Sequence, residues 1–151
     1  MRVITGTARG RVLRTLEGED VRPTTDRVKE AVFSIIQFEI EGRRVLDLFA
    51  GSGQLGIEAL SRGAASATFV DMSKDSLSAV KYNLEHTKLG DNAKVVQTDA
   101  LSFLKLTKDK FDIVFLDPPY ASSLVVDSMK LLSDVVAAGG CAICETPGGS
   151  G

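Results

Sequence analysis

The amino-acid sequence predicts an α/β fold in which helices cover both faces of a mostly parallel sheet. From residue 44 onward, short apolar runs alternate with segments long enough to form helices. The runs are apolar at consecutive positions, as expected for parallel strands buried on both faces. Gly63, Gly90 and Gly139 follow three of the helical segments, where a left-handed residue often ends a helix. The predicted strands are VLDLF, ATFVD, KVVQTD, DIVFLD and CAICE, and the predicted helices span 54–62, 73–88, 100–106 and 124–136.

The length and composition predict a single globular unit. A chain of 151 residues that is 44 % hydrophobic can bury one substantial core. Within that unit we distinguish an N-terminal hairpin and connection, residues 1–22, from the main part, residues 23–151. No segment approaches the ~18 consecutive apolar residues of a membrane helix, and the N-terminus lacks the apolar middle of a signal peptide. We therefore expect a cytoplasmic protein without a membrane partner.

Residues 2–14 predict a basic β-hairpin, because RVIT and RVLR flank the glycine-containing turn GTARG. The whole chain has a net charge of -2, which by itself would argue against a nucleic-acid partner. The hairpin, however, contains four arginines and no acid. Such local asymmetry is typical of phosphate binding, although a solvated basic arm explains the charge equally well. The arginines are Arg2, Arg9, Arg11 and Arg14.

A helix is predicted after Pro23, with Thr24 or Thr25 as its N-cap. Asp26 in the first turn suits the positive end of the helix dipole. Apolar residues at i, i+3, i+4, i+7 and i+8 predict one buried face. These are Val28, Ala31, Val32, Ile35 and Ile36.

The first predicted strand leads into a glycine-rich turn that opens a helix, FAGSGQLG, with glycines at 51, 53 and 56. Asp71 follows Gly51 by 20 residues, at the end of the next strand. Glycines allow close approach of the backbone to a ligand, and an acid on the neighbouring strand can accept hydrogen bonds from ribose hydroxyls. The pattern predicts a nucleotide-type site, and both NAD and S-adenosylmethionine fit it.

Acidic residues end the later strands as well, at Asp99, Asp117 and Glu145. Parallel strands deliver their last residues to one edge of a sheet, which is where ligands bind. A single acid there could simply face water, whereas four such acids favour a site. Asp99 is a candidate acceptor for an adenine amino group, and equally a candidate cap for the helix at 100–106.

The stretch DPPY, residues 117–120, predicts a site for a group that presents N–H bonds. Pro118 and Pro119 stiffen the backbone and remove two amide donors, so Asp117 and the local carbonyls form an acceptor-only surface. An exocyclic amine of a nucleobase could be held there, with Tyr120 as a stacking face. The alternative is a proline turn that only ends a strand.

The pair Cys141 and Cys144 has the CxxC spacing of redox and metal sites. Side chains three residues apart in a strand point to opposite faces of the sheet. The single histidine, His86, lies far from both cysteines in sequence, inside a predicted helix. We therefore expect two small buried residues in a strand and no metal.

Several of these motifs together resemble the class I methyltransferases, which have a Rossmann-like sheet and transfer a methyl group from S-adenosylmethionine to an exocyclic amine. They are DLFAGSGQLGIEALSRGA, the VD at 70–71, the TDA at 98–100 and DPPY. The N-terminal stretches ITGTARGRVL and RPTTDRVKEAVFSII are similar to the RsmD-type family. That resemblance implies methylation of guanine N2 in small-subunit (16S) ribosomal RNA, free or in an assembling small ribosomal subunit.

The resemblance also implies roles for individual residues. Asp117, Pro118, Pro119 and Tyr120 would hold the amine, and the four hairpin arginines would contact RNA, which predicts salt-sensitive binding. Asp71 would accept from the ribose and Asp99 would contact the adenine. Thr24, Asp26 and Arg27 would lie near the methionine end of the cofactor. The remaining implied cofactor-binding residues are Asp47, Phe49, Gly51, Gly53, Met72 and Ala100.

The resemblance further implies a seven-stranded sheet, whereas this sequence ends in ETPGGSG just past the fifth strand. We therefore expect strands six and seven to be missing and the fifth strand to be an open edge. Two other functions are compatible with the residues. One is methylation of adenine N6 or of a protein amide nitrogen, and the other is a non-catalytic nucleotide-binding regulatory module.

Overall fold

The computed structural model describes residues 2–14, 26–116 and 123–144. Helices and strands alternate from the first strand onward. The helices are α1 (Asp26–Ile36), α2 (Gln54–Ser61), α3 (Lys74–Thr87), α4 (Ala100–Leu106) and α5 (Ser123–Leu132), with a 3-10 turn at Gly90–Asn92. The strands are β1 (Arg44–Leu48), β2 (Ser66–Asp71), β3 (Ala93–Gln97), β4 (Phe111–Leu116) and β5 (Val136–Cys144).

The five strands form one parallel sheet in the order β3-β2-β1-β4-β5, which confirms the predicted fold class. β1 is central and pairs with β2 on one side and with β4 on the other. Leu48, the last residue of β1, is opposite both Val70 and Leu116. The ends of these three strands therefore lie side by side at one edge of the sheet.

Successive residues of the central strands enter two separate cores, one on each face. In β4, Ile113 and Phe115 belong to the core with α1, α2 and α3, where Phe33 and Phe115 have ring centroids 5.5 Å apart. Val114 and Leu116 belong to the core with α4, which contains Phe103. Burial on both faces is the reason that these strands read as continuous apolar runs.

The buried face of α1 differs from the predicted one. Ala31 is exposed and Ile35 is 74 % exposed, so the prediction was wrong for these two residues. Val32 and Ile36 are buried as predicted, and Lys29 and Phe33 are buried in addition. The four residues have the same i, i+3, i+4, i+7 spacing. The large ring of Phe33 and an ion pair of Lys29 favour this orientation. Val28 belongs to α1, but its side chain lies outside the described part.

The predicted helix at 124–136 ends earlier, at Leu132, and β5 begins at Val136. Gly139 therefore does not end a helix, contrary to the prediction. It lies inside β5 with φ of 80°, where the register against β4 shifts between Phe111 and Ile113. A glycine with positive φ at a β-bulge accommodates the additional residues.

The glycines after the other two helices gave different outcomes. Gly63 follows α2 with φ of 103°, as predicted. After α3 the left-handed residue is Lys88, with φ of 61°, and Gly90 begins the 3-10 turn, so the prediction for Gly90 was wrong. The amides of Lys88 and Leu89 donate to carbonyls of the last turn of α3, which ends the helix before Gly90 is reached.

Residues 2–14 fold back on themselves as predicted, although only one antiparallel bridge forms, between Arg2 and Val12. Val3 N–H donates to the Arg11 carbonyl at 3.0 Å, and Gly10 N–H donates to the Val3 carbonyl at 2.9 Å. We call residues 2–14 the basic hairpin. In the described part of the chain, none of the helices combines the length and the apolarity needed to cross a membrane.

Candidate functional site

The glycine turn lies at the carboxyl end of the central strand, between β1 and α2. Gly51 has φ of 59° and Gly53, the residue before α2, has φ of 85°. Phe49 also has a positive φ, 64°, which is costly for a residue with a side chain and typical of functional sites. A Cβ atom at Gly51 would meet no atom of the described residues within 4 Å. The turn is therefore open at Gly51, and a ligand could approach its backbone there.

Gly53 and Gly56 face the protein interior instead. A Cβ at Gly56 would lie 2.4 Å from Cε2 of Phe69, and a Cβ at Gly53 would lie 3.3 Å from the same atom. Phe69 is in β2 and is fully buried. The third glycine of the motif thus allows α2 to pack closely against the sheet, which is one of the roles expected for it.

Asp47 supports the turn from inside the protein. Its side chain is buried, and its Oδ2 accepts a hydrogen bond from Gly56 N–H at 3.0 Å. Negative charge near a helix N-terminus is favourable. The carboxylate therefore fixes α2 relative to β1, and its predicted part in cofactor binding stays a prediction.

Asp71 and the glycine turn meet in space, as their spacing predicted. Asp71 Oδ2 accepts from Gly51 N–H at 2.9 Å, and its Oδ1 accepts from Ser73 N–H at 2.8 Å. Asp71 is half-buried, and each carboxylate oxygen can accept more than one hydrogen bond. The side chain can therefore hold the turn and still accept from a ligand hydroxyl.

Met72 follows Asp71 and is 70 % exposed. Its carbonyl accepts from Gln97 Nε2 at 3.3 Å, which connects the ends of β2 and β3. An exposed thioether next to the acid offers an apolar surface for an aromatic ring. This position is compatible with the predicted cofactor contact.

Asp99 caps α4, which is one of the two roles that the sequence suggested. Its Oδ2 accepts from Ser102 N–H at 2.9 Å, and hydrogen bonds from Ser102 hold the pKa of the Asp99 carboxyl below its ordinary value of 3.8. Ala100 is buried in the core beside α4. The Ala100 side chain is therefore not available to a ligand. The predicted adenine contact of Asp99 and the predicted cofactor-binding role of Ala100 stay predictions.

Other predicted site residues lie outside the described part, namely Thr24, Asp117, Pro118, Pro119, Tyr120 and Glu145. Asp26 and Arg27 belong to α1, but their side chains are not described. The end of β4 is described, and Leu116 pairs with Leu48. The strand that precedes Asp117 thus ends beside the strand that precedes the glycine turn.

The C-terminal half of α2 holds the basic hairpin through Glu58. This carboxylate is fully buried, with Oε1 accepting from Ile4 N–H at 2.8 Å and Oε2 accepting from Thr5 N–H at 3.0 Å. Two cations also bind it, Lys29 at 3.3 Å and Arg62 at 2.9 Å. A buried charge needs such compensation. Glu58 therefore joins the hairpin, α1 and α2.

A second attachment of the basic hairpin uses the last residue of α2. Thr7 N–H donates to the Ser61 carbonyl, Ala8 N–H donates to Ser61 Oγ at 3.0 Å, and Ser61 Oγ donates to the Thr5 carbonyl at 2.7 Å. A Cβ at Gly6 would lie 1.8 Å from the Ser61 carbonyl oxygen. Only glycine fits this close approach.

Asn83 of α3 joins the basic hairpin to the glycine turn. Its Oδ1 accepts from Arg14 N–H at 2.7 Å, and its Nδ2 donates to the carbonyls of Arg14 at 2.9 Å and of Ser52 at 3.0 Å. The side chain is fully buried and uses all three of these hydrogen-bonding positions. The predicted RNA-binding segment and the predicted cofactor segment thus share one amide group.

All four arginines of the basic hairpin are exposed, as a nucleic-acid contact requires. The guanidinium of Arg14 lies 3.8 Å from the ring centroid of Tyr82, and Tyr82 stacks with His86 one helical turn further along α3. The sequence patterns did not predict a role for Tyr82, Glu58 or Asn83. An i, i+4 aromatic pair on a polar helix face is a signal that could have identified Tyr82 and His86.

Cys141 lies in β5, as predicted, and is half-buried. Burial raises the pKa of its thiol, so the reactive thiolate is disfavoured. Within the described residues, no three His, Cys, Asp or Glu side chains are grouped so as to hold a metal ion.

Comparison with known proteins gives a match over nearly the whole chain. The family described as Conserved hypothetical protein 95 matches residues 1–150. Ribosomal RNA small subunit methyltransferase D of Escherichia coli K12 is 43 % identical over 134 residues, covering 89 % of this chain and 67 % of that protein. The protein of the same name from Haemophilus influenzae is 42 % identical over 137 residues, covering 89 % and 71 %.

Solved structures agree with the fold. A hypothetical protein of Thermus thermophilus superposes with a TM-score of 0.86 at 33 % identity, over 97 % of this chain and 86 % of that one. A methyltransferase of Thiobacillus denitrificans, solved with S-adenosyl-L-homocysteine, has a TM-score of 0.70 at 20 % identity, over 85 % and 51 %. The second likeness concerns the fold alone, which is the Rossmann-like class I type.

Proposed function

This chain belongs to the Conserved hypothetical protein 95 family, the RsmD-type family, and we propose that it is a ribosomal RNA methyltransferase that uses S-adenosylmethionine. The observation that carries the proposal is the hydrogen bond between Asp71 Oδ2 and Gly51 N–H. It joins the glycine turn to an acid on the neighbouring strand, at the sheet edge where such folds bind nucleotides. Ribosomal RNA as the substrate implies a cytoplasmic protein.

The described residues fit the adenosine part of S-adenosylmethionine. Asp71 has lone pairs left for ribose hydroxyls, the backbone at Gly51 is open, and Met72 offers an exposed apolar surface beside them. Gln54 Oε1 is buried and has no hydrogen-bond partner among the described residues, so it could accept from a donor near the turn. When bound, the cofactor supplies an electrophilic methyl group.

We propose guanine N2 as the methyl acceptor, held by DPPY. Asp117 would accept from the amine, Pro118 and Pro119 would leave only acceptors around it, and Tyr120 would stack on the base. Positioning of the amine contributes most of the rate. The pairing of Leu116, the last residue of β4, with Leu48 of β1 supports this proposal. It brings the strand before Asp117 to the edge of the sheet where the glycine turn begins.

Transfer of labelled methyl to ribosomal RNA that lacks the modification, followed by nucleoside analysis, tests the activity and its target. We expect label on N2 of guanosine in small-subunit RNA. Asp117→Ala should lower turnover on the order of a hundredfold or more, as removal of a positioned catalytic hydrogen bond does elsewhere. Its affinity for S-adenosylmethionine, measured by calorimetry, should stay near that of the wild type.

Other outcomes would change the assignment. Label on adenosine N6 or on protein amide nitrogen would replace the guanine target, and full activity of Asp117→Ala would contradict the proposed role of DPPY. Binding of NAD in preference to S-adenosylmethionine, without transfer, would favour a non-catalytic nucleotide-binding module. That alternative explains the glycine turn but gives the four exposed arginines no role.

A further inference from the structure

A groove lies between the second half of the basic hairpin and the outer face of α3. It is an open depression of about 700 Å³, lined by residues 10–14 together with Tyr82 and His86. We call it the Tyr82 groove. Two of its lining residues are exposed arginines, Arg11 and Arg14, and none of the described residues that line it is acidic. The groove is therefore basic as well as aromatic.

Three flat groups are arranged in succession along this groove. The Arg14 guanidinium carbon lies 3.8 Å from the Tyr82 ring centroid, and the Tyr82 and His86 centroids are 5.9 Å apart with planes inclined by 13°. Tyr82 remains 43 % exposed. Proteins that bind single-stranded nucleic acids stack the bases on aromatic rings and arginine side chains at a basic surface.

The stack is not needed to attach the hairpin. The buried side chains of Glu58, Ser61 and Asn83 already fix residues 4–8 and Arg14 through hydrogen bonds. Asn83 also binds both the N–H and the carbonyl of Arg14, and the Arg14 guanidinium lies against the Tyr82 ring, so the cation is positioned before any ligand arrives. A preoriented cation loses less entropy on binding than a mobile one.

We propose that the Tyr82 groove binds an unpaired nucleobase of the RNA substrate, apart from the base that is methylated. The base stacks on the part of the Tyr82–His86 pair that the Arg14 guanidinium leaves exposed, and Arg11 and Arg14 contact the adjoining phosphates. This inference rests on the proposed function, because it assumes that RNA is the substrate. It assigns α3 to the RNA interface together with the basic hairpin.

The test measures binding of a fluorescein-labelled single-stranded RNA oligonucleotide to the full chain by anisotropy, at several salt concentrations. Tyr82→Leu removes the aromatic face, and Tyr82→Phe is the matched control that keeps it. We expect Tyr82→Leu to weaken binding about fivefold to a hundredfold, the range found for loss of a stacking side chain, and Tyr82→Phe to bind within about twofold of wild type.

Salt dependence separates stacking from charge. Tyr82→Leu should leave the slope of log affinity against log salt unchanged, because no phosphate contact is lost. Arg11→Gln should reduce that slope by about 0.7, the value for one contact to a single strand. An oligonucleotide that contains 2-aminopurine should lose fluorescence on binding to wild type and Tyr82→Phe, and keep it with Tyr82→Leu.

Equal RNA affinity of Tyr82→Leu and wild type would overturn the inference, provided that urea denaturation shows the variant to be folded. Equal binding of polyglutamate and RNA, unaffected by Tyr82→Leu, would also overturn it and would assign the basic face to an acidic protein. Affinity for S-adenosylmethionine and methyl transfer by the wild type are measured separately. These measurements distinguish a Tyr82 groove that does not bind RNA from a protein that does not have the proposed methyltransferase function.

Discussion

The two ends of α2 are held to the rest of the protein in different ways. At the N-terminal end, Asp47 accepts from the Gly56 amide, and the glycine turn before the helix is open at Gly51. At the C-terminal end, Glu58 accepts from two hairpin amides and pairs with Lys29 and Arg62. Both acids are buried, and two cations hold Glu58.

The difference shows which end is suited to a ligand. The groups around Glu58 satisfy one another, so they attach the basic hairpin to α2. Near the glycine turn, Asp71 is half-buried and Gln54 Oε1 has no partner among the described residues. Polar groups with remaining hydrogen-bonding capacity are available to a ligand, whereas fully satisfied ones stabilise the fold.

Breaking the C-terminal attachment should have the largest effect on stability. Glu58→Gln leaves the buried Lys29 ammonium and Arg62 without their carboxylate. We expect the free energy of unfolding to fall by about 3–5 kcal/mol, the usual cost of removing one partner of a buried ion pair. Urea denaturation followed by circular dichroism measures this change.

The double variant Glu58→Leu, Lys29→Met is the matched control for that experiment. It removes the buried carboxylate and the buried ammonium together, so it should recover part of the stability lost in Glu58→Gln. A double variant that is less stable than Glu58→Gln would show that the hydrogen bonds to Ile4 and Thr5, rather than the charges, dominate this attachment.

A substitution in the glycine turn should affect ligand affinity more than stability. Gly51→Ala and Gly42→Ala both place alanine at a positive φ, 59° and 74°, and within the described part of the chain no atom lies within 4 Å of the new methyl group. Each should lower the free energy of unfolding by about 1 kcal/mol through backbone strain. Only Gly51→Ala should weaken binding of S-adenosylmethionine in calorimetry, because its methyl group projects where the ligand approaches.

Gly42 precedes β1, at the amino end of the strands, and therefore reports backbone strain alone. An equal loss of cofactor affinity in both variants would mean that the open space at Gly51 is not the ligand site. Unchanged affinity in Gly51→Ala would have the same meaning.

The smallest effect concerns pH and the cap of α4. Hydrogen bonds from Ser102 lower the pKa of Asp99 in the folded protein below its unfolded value, near 3.8. The folded state then binds fewer protons, so this contribution to stability is complete above about pH 4 and is lost as the pH falls through the folded pKa. Asp99→Asn keeps a capping oxygen but cannot titrate.

Urea midpoints measured between about pH 6 and about pH 3 test this effect. The midpoint of the wild type should fall more than that of Asp99→Asn. Identical pH profiles would show that the Ser102 hydrogen bonds do not stabilise the charged form of Asp99.

Much of the fold follows from local patterns in the sequence. Consecutive apolar residues define β1, β2 and β4, and the predicted span of α4 is correct because Asp99 provides a local cap. The face of α1 was not predictable in the same way. Two overlapping sets of α1 residues fit the helical period, and either set could form the buried face. The observed face depends on Phe33 and on an ion pair between Lys29 and Glu58, which are 29 residues apart in sequence.

The end of α5 and the start of β5 were also mispredicted for a non-local reason. Most of the residues between Leu132 and Gly140 are small or β-branched and fit a helix or a strand. Pairing of Val136 with Phe111 of β4 decides in favour of a strand and places Gly139 at the bulge. Such pairing leaves no signal within the segment itself.

The site was predictable where motif and topology coincide. Parallel β1 and β2 bring Asp71 to Gly51 across 20 residues, as their spacing indicated. Glu58 and Asn83 were missed because their hairpin partners are 53 to 69 residues away and belong to no periodic pattern. The role of DPPY lies outside the described residues and stays a proposal.

The Asn83 amide has a thermodynamic consequence for the order in which two ligands bind. It contacts Arg14 in the basic hairpin and Ser52 in the glycine turn, so a shift of either segment on binding its ligand would act on the other segment through this one amide group. The two affinities are then linked reciprocally, and the factor by which the first ligand improves the second is the same in both directions. Neither ligand has to arrive first for this cooperativity to operate.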